Sequence, residues 1–144
     1  VAWNAENHRM QHLLLDIYRP PTLKQSTASP LIVLVHGGAF RFRSKDKAAP
    51  LAYAFARRGF AAIAIDYRLT GYYWGVAEKK WPGPGTESDR YIQDAKEDTW
   101  AAVQFAQKHA HAMGIDPDRI VIAGSSAGAT TVLKISYNST EVPC

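Results

Sequence analysis

The stretch Ile120-Val121-Ile122-Ala123-Gly124-Ser125-Ser126-Ala127-Gly128-Ala129 constrains this chain more than any other. An apolar, β-branched run leads into Gly-Ser-Ser-Ala-Gly, and small residues suited to a helix start follow. This is the G-x-S-x-G pattern in its strand–turn–helix setting. So sharp a turn puts Ser126 at its tip with the hydroxyl exposed, and its neighbours must be small. Gly124 and Gly128 remove side chains where the strand and helix backbones converge. The N–H of Ala127, in the first helical turn, has no intrahelical acceptor and is free to bind an anion. The residues point to a nucleophilic serine; a tight turn with a merely structural role is the alternative.

A second element supports the first. Leu31 to Val35 is a continuous apolar run, as expected of a strand buried on both faces of a parallel sheet. It enters His36-Gly37-Gly38-Ala39-Phe40, where a glycine pair lets the backbone aim its N–H groups at one point, as a developing oxyanion requires. A third apolar run, Ala61 to Ile65, enters Asp66-Tyr67-Arg68-Leu69.

On these three segments the sequence resembles the α/β-hydrolase fold, most closely its hormone-sensitive-lipase-like carboxylesterase branch, from roughly Leu14 to Ser136. The resemblance implies a predominantly parallel central sheet with flanking helices. It also implies hydrolysis of carboxylic esters through an acyl-enzyme at Ser126. The oxyanion would be held by the amides of Gly38, Ala39 and Ala127, with Gly37 as a further candidate. His36 would support the oxyanion loop. Two positions depart from the branch: Ala39 stands where a third glycine is usual, and Ser125 where an acidic residue is common. The chemistry requires no metal and no organic cofactor, and the expected partner is a small-molecule ester.

Composition fits one soluble globular domain or part of one, with 47% hydrophobic residues in 144. No apolar run is long enough for a membrane span. The net charge of +4 is modest and dispersed, and no aromatic–basic stripe suggests nucleic acid. Arg41, Arg43, Lys45 and Lys47 cluster just after the glycine motif. They form either a solvated loop or a contact for an acidic group on a substrate. The lone Cys144 excludes an internal disulfide and any cysteine-rich zinc site. No signal peptide is visible, and the Asn138-Ser139-Thr140 sequon says little about compartment.

Taken in order, Val1 to Met10 reads as polar and irregular, and Leu13 to Tyr18 as a strand stopped by Pro20-Pro21. Thr22 to Pro30 is a Ser/Thr/Pro connection. Asp46 is expected to cap a helix over Lys47 to Arg58, with Ala48, Leu51, Ala52 and Phe55 on one face and Gly59 at its end. Thr70 to Arg90 is irregular; its Tyr72, Tyr73, Trp74 and Trp81 either wall a pocket or pin a loop. Apolar residues from Ile92 to Met113 recur every three or four positions and predict a helix over Tyr91 to Met113. Asp94, Glu97 and Asp98 would favour its positive end. Asp116-Pro117-Asp118 then turns the chain into the nucleophile strand, and a helix over Ala127 to Ser136 follows.

An activated serine needs a base, and in α/β-hydrolases the acid and histidine follow the serine in the chain. Here Glu141 is the only later carboxylate side chain, and His8, His12, His36, His109 and His111 all precede Ser126. Residues 1–144 are therefore expected to be the N-terminal portion of one α/β-hydrolase domain, truncated after the nucleophile helix. Asp66 is expected to anchor a loop. The nucleophile strand, lacking outer neighbours, would be an open edge prone to self-association. Rival readings are a peptidase, thioesterase or amidase on the same fold, a non-catalytic ligand-binding pseudo-hydrolase, and an inactive fragment.

Overall fold

The structure, a computed structural model, describes residues 2–4, 9–21, 28–69 and 86–137. The aromatic-rich stretch 70–85, together with His8, the sequon, Glu141 and Cys144, lies outside them.

Two short strands, β1 (Ala2–Asn4) and β2 (Arg9–Gln11), pair antiparallel, with Trp3 opposite Met10. This corrects the expectation of an irregular start. Three-residue strands are too short to display an alternation in sequence. The main sheet comprises β3 (Leu15–Tyr18), β4 (Ser29–Val35), β5 (Ala61–Ile65) and β6 (Ile115–Gly124), in the order β3-β5-β4-β6. The pairs β5–β4 and β4–β6 are parallel, and β3 joins antiparallel to β5. An antiparallel edge strand on an otherwise parallel sheet is a common mixed arrangement.

The helices are α1 (Ala49–Ala56), α2 (Thr86–Lys108), α3 (Ala110–Met113) and α4 (Ala127–Tyr137). Both faces of the sheet are covered, which is why β4 and β5 are unbroken apolar runs. Leu31, Val33, Val35, Ile63 and Ile65 pack with α2, α3 and α4, whereas Ile32, Leu34 and Ala62 meet Ala52 of α1. Val121 on β6 is 56% exposed, and β6 pairs on one side only among the described residues.

Several boundaries differ from expectation. Ser44, not Asp46, caps the segment after the glycine motif: its Oγ accepts from the Asp46 N–H and starts a single 3-10 turn, Lys45–Lys47. Helix α1 begins only after Ala48, with Pro50 in its first turn, where a missing N–H costs nothing. Leu51 faces outward at 51% exposure instead of joining Ala52 in the core. The long helix starts five residues early, at Thr86, and breaks at His109, whose φ of −105° and ψ of 13° end α2. Neither glycine nor proline marks that break, and the apolar periodicity runs through it. Gly114, at φ 66°, closes α3 in the left-handed conformation that glycine adopts without strain. The turn at Asp116 to Arg119 is looped out inside β6: Ser29 pairs with Ile115 and Leu31 with Ile120. Asp116 holds that bulge by accepting from the Asp118 N–H and from Arg119 Nε.

Candidate active site

The C-terminal ends of β4, β5 and β6 each release one of the three segments singled out in the sequence. At the end of β6 the Ser125 N–H reaches the Val35 carbonyl at 3.3 Å, which ties the turn to β4. Ser126 then adopts φ 53°, a left-handed conformation costing an L-residue about 1–2 kcal/mol. Its side chain is exposed at the tip, and α4 starts at once, with Gly128 N–H donating to Ser125 O at 3.0 Å.

Two glycines make this geometry possible. A Cβ on Gly124 would lie 2.5 Å from the Gly128 carbonyl, and a Cβ on Gly128 would clash with the carbonyl oxygens of Val35 and His36. The first turn of α4 thus rests directly on the end of β4. The close approach extends to Gly37, where a Cβ would meet Ser125 O at 2.7 Å and Ser126 Cβ at 3.1 Å. The loop after β4 therefore packs against the serine turn, as the sequence pattern requires.

That loop is conformationally unusual. Gly38, Ala39, Phe40 and Arg43 all have positive φ, at 139°, 52°, 60° and 80°. The carbonyl of Gly38 accepts from Arg41 and Phe42 N–H, at 2.9 and 3.2 Å, and closes the turn. Ala39 holds a left-handed conformation that glycine would adopt without strain. Among the described residues, the N–H groups of Gly38, Ala39 and Ala127 donate to no protein acceptor.

His36 is buried beneath this loop. Its Nδ1 lies 2.7 Å from the Gly37 carbonyl. A carbonyl only accepts, so Nδ1 carries the proton and Nε2 is a bare acceptor, without a donor among the described residues. Burial lowers the pKa of the ring, against the opposing Gly37 hydrogen bond, and favours the neutral form. No hydrogen bond joins His36 to Ser126. The histidine thus contacts the loop through the Gly37 carbonyl.

The segment after β5 supplies three supports in three successive residues. Asp66 Oδ1 accepts from the Lys45 N–H at 2.7 Å, which matches its expected anchoring role. Tyr67 is 1% exposed, stacks on His36 with ring centroids 4.4 Å apart, and donates its hydroxyl to the His36 carbonyl at 2.9 Å. Arg68 binds α2: its guanidinium reaches Asp98 and Glu97 at 2.9 Å and Asp94 at 3.1 Å, while its N–H donates to Asp98. This overturns the helix-end role expected for the acidic trio. With α2 starting at Thr86, these residues lie in its third and fourth turns, beyond the reach of the helix end. The bracing roles of Tyr67 and Asp98 had no sequence signal of their own, because partners 30 or 31 residues apart leave no local pattern.

His12, His109 and His111 are exposed, and the ring of His109 lies against Phe105 instead of the serine turn. Among the described residues no group of three His, Cys, Asp or Glu is placed to hold a metal. No described helix is long and apolar enough to cross a membrane.

The family model BD-FAE matches residues 15–141 of the chain. Esterase LipI of Mycobacterium tuberculosis is 29% identical over 127 residues, covering 88% of this chain and 34% of LipI. Carboxylesterase NlhH of the same species is 31% identical over 113 residues, covering 78% and 30%. Among solved structures, the Thermogutta terrifontis esterase Est2 with propionate bound aligns with a TM-score of 0.63 and 31% identity. That alignment covers 81% of this chain and 37% of Est2. The chain thus spans about a third of the length of these relatives. With its mixed sheet and strand–serine–helix turn, the chain belongs to the BD-FAE family and has the α/β-hydrolase fold.

Proposed function

We propose that this chain carries the nucleophile and the oxyanion hole of a carboxylesterase that acts on small-molecule esters. One observation carries the reading: a strained, exposed Ser126 stands against the loop that bears the unbonded N–H groups. Esterase names among the relatives support it. Ser126 Oγ attacks the ester carbonyl carbon and yields its proton to a base. The negative oxygen that forms accepts from Gly38, Ala39 and Ala127 N–H, with Gly37 as a further donor. Each such donor is typically worth about 2.7–4 kcal/mol in the transition state. The alcohol leaves with a proton, and water releases the acid from the acyl-enzyme. Residues 1–144 are then the N-terminal portion of one catalytic domain, and the acid and base lie outside them.

A second reading, a pseudo-hydrolase that binds ligand without turnover, is favoured by one fact. No histidine among the described residues hydrogen-bonds Ser126. The test uses the protein as its source expresses it. A fluorophosphonate probe should label Ser126, and Ser126→Ala should abolish labelling and lower 4-nitrophenyl butyrate turnover about a million-fold. An unlabelled serine with no turnover would favour the ligand-binding reading. Wild-type turnover in Ser126→Ala would remove Ser126 from the mechanism.

A further inference from the structure

The basic run after the glycine motif is divided by the structure. Lys45 is engaged internally, its Nζ 2.7 Å from Asp16. Arg43 and Lys47 are exposed, and neither has a carboxylate within ion-pair distance among the described residues. Both line one cleft of about 250 Å³, together with Gly37, Ser125 and the outward-facing Leu51. The cleft is thus a positively charged recess with an apolar wall that reaches Ser125, the residue before the proposed nucleophile. Its volume falls below the roughly 300–1,000 Å³ typical of drug-sized ligands, and so suits a short chain.

Arg43 is held there under strain. Its φ of 80° is one that glycine tolerates and an L side chain does not, at a cost of about 1–3 kcal/mol. The side chain runs along the oxyanion loop: its Cγ is 3.3 Å from where a Gly38 Cβ would stand. The guanidinium lies 5.8 Å from the Phe42 ring centroid. A strained backbone that holds along this loop a cation without a carboxylate partner among the described residues is a geometry suited to binding a substrate anion.

We propose that Arg43 and Lys47 form an anion subsite that selects acyl chains ending in a carboxylate. The substrate class is then monoesters of short dicarboxylic acids, their methylenes lying against Leu51. The inference rests on the esterase reading of Ser126 for its kinetic test, and on ligand binding alone for a second one.

The kinetic test compares 4-nitrophenyl monoesters of succinic, glutaric and adipic acid with 4-nitrophenyl butyrate, valerate and hexanoate, after subtraction of spontaneous hydrolysis. The protein should prefer the best anionic ester over its neutral counterpart. Arg43→Gly should lower that ratio about tenfold, the size of one charge-assisted contact. Glycine relieves the strain at this φ, so the variant should unfold at no lower temperature. Lys47→Gln should act in the same direction. Arg57→Gln, which removes a positive charge just beyond the C-terminal end of α1, should leave the ratio as it is. High salt should shrink the wild-type preference, because exposed charges are screened within about 10 Å at 0.1 M. The binding test titrates glutarate into Ser126→Ala protein, followed by NMR, and again with Arg43→Gly added. Weakened glutarate binding on adding Arg43→Gly supports the subsite even if no ester is turned over, an outcome that would count against the esterase reading alone. An Arg43→Gly ratio equal to wild type, or no glutarate binding to the Ser126→Ala protein, overturns the subsite while leaving ester hydrolysis intact.

Discussion

Replacing Gly128 by alanine tests the packing on which the whole site depends. In an ordinary helix interior this exchange is favourable by about 1 kcal/mol, since glycine is the poorer helix former. Here the new methyl would run into backbone: it clashes with the Val35 carbonyl oxygen and stands 2.8 Å from the His36 carbonyl oxygen. Neither group can rotate away, because Val35 O accepts from the Ser125 N–H and His36 O from the Tyr67 hydroxyl. To restore ordinary contact with His36 O alone, α4 must lift from β4 by about 0.6 Å, and the Val35 contact demands more. Overpacking of a dense interior typically costs about 1–3 kcal/mol. With the propensity gain deducted, Gly128→Ala should destabilise the protein by roughly 0–2 kcal/mol. Activity should suffer more than stability. The lift separates Ser126 and Ala127, at the start of α4, from the Gly37–Ala39 loop on β4, and a 1 Å misplacement can cost about 100-fold in rate. Urea unfolding gives the first quantity and 4-nitrophenyl butyrate turnover the second. A Gly128→Ala protein more stable than wild type, with full turnover, would refute the close approach.

Other consequences are direct. Asp98→Ala leaves Arg68 without its most buried partner, whose side chain is 4% exposed, and should cost about 3 kcal/mol in urea unfolding; a loss below about 1 kcal/mol would show that Asp94 and Glu97 suffice. The pKa of His36 is lowered on folding, so the unfolded chain takes up a proton first as pH falls. Its contribution to stability is complete above the ordinary value of 6.5 and declines as pH falls from there through the lower folded pKa. Thermal unfolding of wild type and His36→Asn from pH 8 to pH 5 checks this: the acid loss should be smaller in the variant. Residues 1–144 expressed alone should self-associate through the β6 edge and exposed Val121, and sedimentation as a monomer at micromolar concentration would contradict this.

Much of the fold was legible because it is written in short-range patterns. The bounds of β5 agree residue for residue, and β4 extends two residues earlier than its apolar run. Both strands are buried on two faces, and nothing in such a run competes with the strand assignment. Boundaries were missed where the deciding contact is distant or backbone-made. The bulge in β6 is set by its register against β4, and the break at His109 has no breaker residue. Val121 reads as core in sequence yet is exposed, because a strand's burial depends on neighbours that its own residues do not specify.

The site divides along the same line, and the division has a physical basis. The anion-binding part proposed for it is made of backbone, and backbone in unusual conformations or close approach demands glycine or another small residue. That demand makes Gly37, Gly38, Gly124 and Gly128 visible in a single sequence. The bracing is made of side chains from other elements: Tyr67 on His36, Asp66 on Lys45, and Asp98 on Arg68. Any of these residue types serves equally well on a surface, so composition and spacing do not betray the roles of Tyr67 and Asp98, and only Asp66, at the end of an apolar run, was expected as an anchor. The strained residues fall between the two cases. Ala39, Phe40, Arg43 and Ser126 have positive φ without being glycine; the Gly-x-Ser-x-Gly pattern announces Ser126, Ala39 stands where the resemblance expects glycine, and nothing local announces Phe40 or Arg43. At Ser126 the hydroxyl explains why the strain is borne. Ala39 has only a methyl to offer, and its strain is the residue of a loop closed from both sides by Gly38 and Phe42. Arg43 has a guanidinium, and a cation placed at that cost beside the loop proposed to bind the oxyanion is best accounted for by an anion that it meets.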